Sequence, residues 1–327
     1  MEHIFLTGGT GFIGRHLTDV LLKNGFKVTL LSHNRTYQGA DHPNLKIIRG
    51  NIRYPGTWRD VLSETDGVIH AAGSVSEANF YRYIRINTEA TAALARECSL
   101  HENIRQFIFI SSLSAAGPSE PGNPIREFHP AEPVCEYGKS KLMAEGRLLH
   151  LSAPFPKIII RPPAVYGSYD KALLPVFKLA HHRIRPVFKT GLLEFSLIHV
   201  TDLCNIIMRL TLNPRLKHDE IFFVNDGKPI HTQKEIFNLL ENNIQRKMIP
   251  IPVSKFLLGS YSYLAELSGS VTGKMPLLNI DKYREFKQKA WTCHSDKLMD
   301  FLDYRIKYPL EKGLKDTYTW YRMHHWL

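Results

Sequence analysis

The first fourteen residues limit most strongly what this chain can fold into. An apolar run, His3-Ile4-Phe5-Leu6, leads into Thr7-Gly8-Gly9-Thr10-Gly11-Phe12-Ile13-Gly14, and an amphipathic stretch then continues to Lys23. A short apolar run, a cluster of glycines and a 3.6-residue pattern read in turn as strand, tight turn and helix. Gly8 permits the turn, Gly11 lets the backbone approach a ligand, and Gly14 lets the helix pack closely on the strand. Free amides at the helix start would face an anion. The turn therefore suits the pyrophosphate of a dinucleotide, with Gly8, Thr10, Gly11, Phe12, Ile13 and Gly14 around it. A strand that begins at His3 also predicts no secretory leader.

The same rhythm continues through the first half of the chain. Apolar runs at Lys27 to Leu31, Leu45 to Ile48, Gly67 to Ile69, Phe107 to Ile110 and Lys157 to Ile160 alternate with amphipathic stretches, the longest from about Tyr81 to Leu100 and from Tyr137 to Leu151. Strand-helix repetition of this kind predicts the α/β class, as a Rossmann-type doubly wound parallel sheet covered on both faces. After Arg161 the pattern loosens, and Pro162, Pro163, Gly167, Pro175, Pro186 and Gly191 predict loops with short helices. Ile221 to Val224 reads as a further strand, followed by helices at Gln233 to Glu241 and Ser254 to Leu267. The expected division is a dinucleotide-binding domain over 1–161, with elements returning near 196–226, and a smaller C-terminal substrate lobe from 162–195 and 227–327.

Composition narrows the function classes. The net charge of +11 would suit an anionic partner, but Lys and Arg are spread along the chain with no basic tail, which predicts a generally basic surface and no nucleic-acid site. Cys98, Cys135, Cys204 and Cys293 form no close pair and no zinc-like spacing with histidine. Reduced thiols in the cytoplasm and no metal are expected. No apolar run approaches the roughly 20 residues of a membrane span, so no stable membrane insertion is expected.

Two further stretches carry chemistry. The second strand ends Leu30-Leu31-Ser32-His33-Asn34-Arg35, with no acid to hold the ribose hydroxyls of NAD. Ser32, His33 and Arg35 can instead receive a 2′-phosphate, which tips the choice towards NADP, with NAD the other option. Tyr137-Gly138-Lys139-Ser140-Lys141 sets a phenol and an ammonium four residues apart, on one face of a helix. The ammonium favours the phenolate and would bring the tyrosine towards the range of a general acid/base. The strand before it ends in Ser111-Ser112, at the carboxyl edge where ligands of such sheets bind, and a serine there can hold a reacting oxygen.

With these stretches in order, the chain resembles the extended branch of the short-chain dehydrogenase/reductase superfamily, the epimerases, dehydratases and reductases. The resemblance covers nearly the whole chain, through TGGTGFIG, DGVIHAA (66–72), Asn87-Thr88, FIFISSLSAAG (107–117), YGKSK, IRPPAVYG (160–167) and LIHVTDL (197–203). It implies Ser112, Tyr137 and Lys141 as the catalytic set, with Asn87 near the proton path. Lys141 would also hold the nicotinamide ribose, and Pro162-Pro163 would contact the carboxamide. Asn51-Ile52 stands where relatives have an acid before the apolar residue, so an amide would meet the adenine. Ala71, Ala72 and Gly73 are small enough for the dinucleotide to lie against them. His70 and His199 follow apolar runs and are expected as buried structural residues. The resemblance also implies a homodimer, through the helices near Tyr81 to Leu100 and Tyr137 to Leu151.

The expected activity is NAD(P)-dependent hydride transfer at a carbinol or carbonyl carbon of a small molecule. An apolar stripe in 254–270 after the Pro-rich Ile249 to Val253 is similar to the 3β-hydroxysteroid dehydrogenase and dihydroflavonol reductase branch, and leans towards an apolar substrate. A nucleotide-sugar epimerase or dehydratase with retained NAD is the alternative, for which Arg183, Arg185 and Lys189 could meet a diphosphate. A non-catalytic dinucleotide-binding module is the third reading, and the intact Ser112, Tyr137 and Lys141 speak against it. The aromatic cluster Tyr318, Trp320, Tyr321 and Trp326 is expected to dock a C-terminal helix on the lobe.

Overall fold

The computed structural model describes residues 3–188, 193–253 and 280–327. The helix expected from Ser254, its apolar stripe and Lys189 lie outside the described residues. The strands of the first half are β1 (His3–Thr7), β2 (Lys27–Ser32), β3 (Leu45–Arg49), β4 (Gly67–His70), β5 (Gln106–Ile110) and β6 (Lys157–Arg161). Later come β7 (Ala164–Tyr166), β8 (Ile184–Phe188), β9 (Glu194–Phe195), β10 (Leu197–His199), β11 (Glu220–Phe223), β12 (His231–Thr232), β13 (Ile249–Val253) and β14 (Ala290–Trp291). The helices are α1 (Phe12–Lys23), α2 (Phe80–Tyr83), α3 (Ala90–Cys98), α4 (Leu113–Ala116), α5 (Glu136–Leu149) and α6 (Leu174–His181). They continue with α7 (Val200–Thr211), α8 (Gln233–Ile244), α9 (Ile280–Lys287), α10 (Asp296–Leu302) and α11 (Leu310–Met323).

Seven strands form one sheet in the order β11-β6-β5-β4-β1-β2-β3, and every neighbouring pair is parallel. The fold is thus the doubly wound α/β sheet that the strand-helix rhythm predicts. Because side chains alternate across a strand, β1 sends Ile4 and Leu6 to one face and Phe5 to the other. Ile4 and Leu6 join Leu17 and Leu21 of α1 and Ile206 and Leu210 of α7. Phe5 joins Leu94 of α3 and Ala144 and Leu148 of α5. The order in which successive strands are added reverses between β1 and β4, where Thr7 lies beside His70, and the crevice at such a switch point is where ligands of these sheets bind.

A third core gathers Phe177 of α6, Phe237 and Leu240 of α8, and Leu314 and Tyr321 of α11. The Tyr321 hydroxyl donates to the Asp170 carbonyl at 2.6 Å, which fastens the C-terminal helix to this core. The stretch after Arg161 differs from the loops and short helices expected of it. It carries short strands, with β7 beside β10, β9 between β12 and β14, and β8 beside β13. Runs of two to five residues are too short to show a period, and Pro186, Pro250 and Pro252 break the alternation. A two-stranded sheet consists of edges, where proline is tolerated.

Beneath the carboxyl edge of β5 and β6 lies a buried ion pair. Arg161 closes β6 and grips Glu145 of α5 with Nε at 3.0 Å and Nη2 at 2.6 Å, and Ser111 at the end of β5 donates to the same carboxylate. Breaking such a pair from one side strands a charge out of water. Arg161→Met should therefore lower the free energy of unfolding in urea by about 3–5 kcal/mol, and Arg161→Met with Glu145→Leu should recover more than half of the loss. A double variant as unstable as the single one would show that the pair's charges are not what matters there.

Candidate active site

The glycine turn is built by backbone contact. Gly8 has φ of 78°, and a Cβ on Gly14 would stand 2.1 Å from the Gly8 carbonyl oxygen. The start of α1 is therefore held against the end of β1. Gly11 occupies the N-cap of α1 with no side-chain acceptor, and no acid stands in the first turn. The first amides of the helix are thus available to an anion, and the half-buried Thr10, Phe12 and Ile13 surround them. Ala71 and Ala72 leave β4 directly beside this turn, since a Cβ on Gly8 would meet their backbone at 2.5 Å. These residues fit a dinucleotide.

At the end of β2, Ser32 is buried and donates to the carbonyl of Arg35, closing a turn that leaves His33 and Arg35 exposed. Asn51 lies next to it. Its Oδ1 accepts from the Arg53 amide at 3.0 Å, and its Nδ2 faces His33 Nε2 at 3.5 Å. Ile52 packs against the core beneath. Both side-chain ends of Asn51 thus have neighbours within the protein. Ser32, His33, Arg35 and Asn51 nevertheless sit together at one end of the crevice.

Ser112, Tyr137 and Lys141 meet at the carboxyl ends of β5 and β6. Ser112 caps α4, its hydroxyl accepting from the Ser114 amide at 3.1 Å. The Pro162 carbonyl accepts from Leu113 at 2.8 Å and so ties the Pro162-Pro163 turn to the Ser112 loop. A Cβ on Gly138 would come within 2.2 Å of the Ser114 carbonyl, so glycine there lets α5 approach α4 closely and brings Tyr137 to Ser112. Burial pushes Tyr137 up to about 12, against the pull of the Lys282 ammonium and of a hydrogen bond from Ser112.

Lys141 is buried, donates to the Ile110 carbonyl at 2.6 Å and lies 4.1 Å from the centroid of Phe109. Burial pulls it down to about 7, and Glu145 one helical turn further on opposes the shift. The foremost cation acting on the phenol is Lys282 of α9, which no local spacing could reveal because it is far along the chain.

Asn87 lies in a π-helical turn, Ile84–Glu89, between α2 and α3. Its Nδ2 donates to the Ser74 carbonyl at 3.0 Å and the Ser140 hydroxyl at 2.9 Å, and its Oδ1 accepts from the Ser74 amide at 2.8 Å. A π turn inserts a residue into the helix and turns a side chain inward. Here it aims Asn87 at α5, and a Cβ on Gly73 would stand 3.1 Å from Asn87 Oδ1 and 3.9 Å from Lys141 Nζ.

A hydrogen-bonded chain joins this turn to the glycine loop. Thr91 donates to the Asn87 carbonyl, so its hydroxyl oxygen is left to accept from His70 Nε2 at 2.9 Å. His70 Nδ1 then accepts from Thr7 at 2.6 Å, and the Thr7 oxygen faces the Ala72 amide at 3.4 Å. Each step assigns the next, which leaves His70 neutral with its proton on Nε2. Burial lowers it to about 3. His199 is also buried; its Nδ1 accepts from Thr201, and it stacks on Tyr308 with ring centroids 4.5 Å apart. Arg183 and Arg185 are engaged by the Lys247 carbonyl and the Asn238 amide oxygen. Among the described residues no group of three or more His, Cys, Asp or Glu is placed to hold a metal.

The comparisons with known proteins agree with this architecture. The model of the NAD dependent epimerase/dehydratase family matches residues 4–224, and the chain belongs to that family. It is an enzyme of the extended short-chain dehydrogenase/reductase type. The chain is 28% identical over 247 residues to the 4-hydroxy-2-methyl-3-oxo-4-farnesyl-3,4-dihydroquinoline-1-oxide ketoreductase of Stigmatella aurantiaca, covering 72% of each chain. It is 26% identical to the ceramide reductase of Caulobacter vibrioides, covering 99% of this chain and 96% of the other. The structure superposes on dTDP-glucose 4,6-dehydratase from Bacillus anthracis in complex with NAD with a TM-score of 0.75 at 20% identity, over 99% and 97% of the two chains.

Two outcomes are expected. Gly14→Ala should weaken NAD and NADPH binding by at least about tenfold in a fluorescence titration, since the new methyl group forces the turn apart. Unchanged affinity would remove the glycine turn from the cofactor site. His70, lowered in the fold relative to its ordinary value near 6.5, contributes stability that is complete above that value. The unfolded chain takes up a proton below it while the folded one does not, so the contribution declines as pH falls towards 3. His70→Gln should accordingly flatten the fall in melting temperature between about pH 7 and pH 5. An equally steep fall would show that His70 is not its source.

Proposed function

We propose that the protein is an NAD(P)-dependent reductase or dehydrogenase acting on a carbonyl or carbinol carbon of an apolar small molecule. The observation that carries this reading is the convergence of Ser112, Tyr137, Lys141 and Asn87 at the carboxyl edge of the sheet, beside the glycine turn. Tyr137 gives its hydroxyl proton to the substrate oxygen on reduction and recovers it on oxidation, while Ser112 hydrogen-bonds that oxygen. Asn87 and Ser140 brace α5. Lys141 and the Pro162-Pro163 turn hold the nicotinamide end, Gly8 to Gly14 and Ala71 to Gly73 the pyrophosphate, and Asn51-Ile52 the adenine. The bound nicotinamide supplies or accepts the hydride.

The named activities of the ketoreductase and the ceramide reductase, both on lipid-like molecules, support an apolar substrate. The absence of an acid at Ser32 to Arg35 supports NADP over NAD. The division into a cofactor domain, 1–161 with the return near 196–226, and a substrate lobe over 162–195 and 227–327 belongs to the same reading. Four buried, unpaired cysteines suit a reducing cytoplasm, and no helix among the described residues is long and apolar enough to cross a membrane. Exposed Tyr81 and Met143, on α2 and α5, lie on the helices through which we expect a homodimer to form. Light scattering on the purified protein checks that, and a monomer at micromolar concentration would remove the dimer.

Nicotinamide absorbance decides the reaction. With long-chain keto-amides and prenylated ketones, NADPH should be consumed steadily. Conversion of UDP- or dTDP-sugars at constant absorbance would replace this reading with the epimerase or dehydratase one. Tyr137→Phe should lower kcat by about a thousandfold with cofactor affinity nearly unchanged. Arg35→Ala should weaken NADPH binding by about tenfold and leave NADH unaffected; equal effects on both would overturn the NADP preference.

A further inference from the structure

Helix α9 lies far from the catalytic helix in sequence, yet it sets charged groups against the start of that helix and the Tyr137 ring. Asp281 Oδ1 accepts from the Glu136 amide at 2.6 Å and Asp281 Oδ2 from the Tyr137 amide at 3.0 Å. These are the first two residues of α5, whose amides have no partner within the helix. The helix's own N-cap is Cys135, whose sulfur accepts from the Gly138 amide at 3.2 Å. Sulfur is a weak acceptor, and cysteine is not among the preferred cap residues. A carboxylate from another element therefore does the capping, where the helix dipole also favours negative charge.

Glu285, one turn along α9, completes the junction. Its Oε1 accepts from the Ser114 hydroxyl at 3.0 Å and the Cys135 thiol at 3.2 Å, while its Oε2 holds Lys282 Nζ at 2.6 Å. Lys282 is thereby fixed with its ammonium 5.6 Å from the centroid of the Tyr137 ring. Ser114 follows Ser112 by two residues, so one helix touches the serine loop, the N-cap of α5 and the tyrosine.

We propose that α9 is a positioning element for Tyr137. Asp281 caps the tyrosine's helix from the second lobe and Lys282, clamped by Glu285, sets a cation beside the phenol, so that the acid/base is complete only when that lobe is docked. The inference rests on Tyr137 as the acid/base, but its consequence can be read on the tyrosine itself without turnover.

The charged and titratable groups around the phenol come from three elements. Lys282, Asp281 and Glu285 belong to α9, Cys135 and Lys141 flank the tyrosine along its own chain segment, and Tyr83 of α2 lies with its ring centroid 6.2 Å away. Arg284 is turned towards Glu136 and Asp281, at 3.6 and 3.8 Å. Of the groups that oppose the effect of burial on Tyr137, Lys282 is foremost. Its charge, rather than its bulk, is what the proposal requires.

The test uses the full chain labelled with 13Cζ-tyrosine, with Tyr137→Phe assigning the resonance, followed by NMR up to about pH 11. Lys282→Met should leave about tenfold less Tyr137 tyrosinate at the highest pH, and Lys282→Arg should restore the wild-type fraction. Asp281→Ala should speed hydrogen exchange at the Glu136 and Tyr137 amides by about tenfold or more. An ionisation unmoved in Lys282→Met, or moved equally in Lys282→Arg, would overturn the role of the cation. Unchanged exchange in Asp281→Ala would overturn the cap. Loss of activity in Tyr137→Phe is read separately, so a failure of the catalytic assignment is distinguishable from a failure of this one.

Discussion

The geometry of the site depends on the buried pair between Arg161 and Glu145. Two charges withdrawn from water are costly unless each finds close, well-directed partners, and here the guanidinium meets the carboxylate through two nitrogens while Ser111 adds a third donor. The pair ties together the end of β5, the end of β6 and the middle of α5. Those three elements carry Ser112, the Pro162-Pro163 turn, and Tyr137 with Lys141. Glu145 is also one turn beyond Lys141, which makes it the counter-charge that limits how far burial lowers the lysine.

Above that pair the site is assembled from hydrogen bonds that cross between segments. The π turn at Ile84–Glu89 turns Asn87 inward, where it bonds Ser74 and Ser140 at once. The chain from Asn87 through Thr91, His70 and Thr7 extends the same order to the glycine loop. A neutral histidine serves there because it accepts at one nitrogen and donates at the other. Protonation would turn the accepting nitrogen into a donor facing a hydroxyl already committed to it.

Much of the fold was legible in the residues. The end of the first helix at Lys23 was readable to the residue, and the strands of the first half to within one residue, because strands buried on both faces are continuous apolar runs and the first helix carries a clear 3.6 period. The second half was harder. Its strands are two to five residues long and interrupted by proline, so neither period nor composition distinguishes them from loops. The π turn was also hidden, since the four residues of α2 before it are too few to fix a phase against which one inserted residue would show.

The sequence by itself determined the class of molecule: a parallel α/β sheet with a dinucleotide turn, and a serine, a tyrosine and a lysine in an order specific enough to name the superfamily. Local spacing sufficed for this because each motif is a strand end, a turn or one face of a helix. Only the tertiary structure decided what surrounds those groups. Glu145 and Arg161 meet across β6 and α5, and Asp281, Lys282 and Glu285 arrive at Tyr137 from a helix far along the chain. Electrostatic environment is set by distance in space, which sequence separation does not measure, so the Lys282 cation beside the phenol could not be read from the YGKSK spacing.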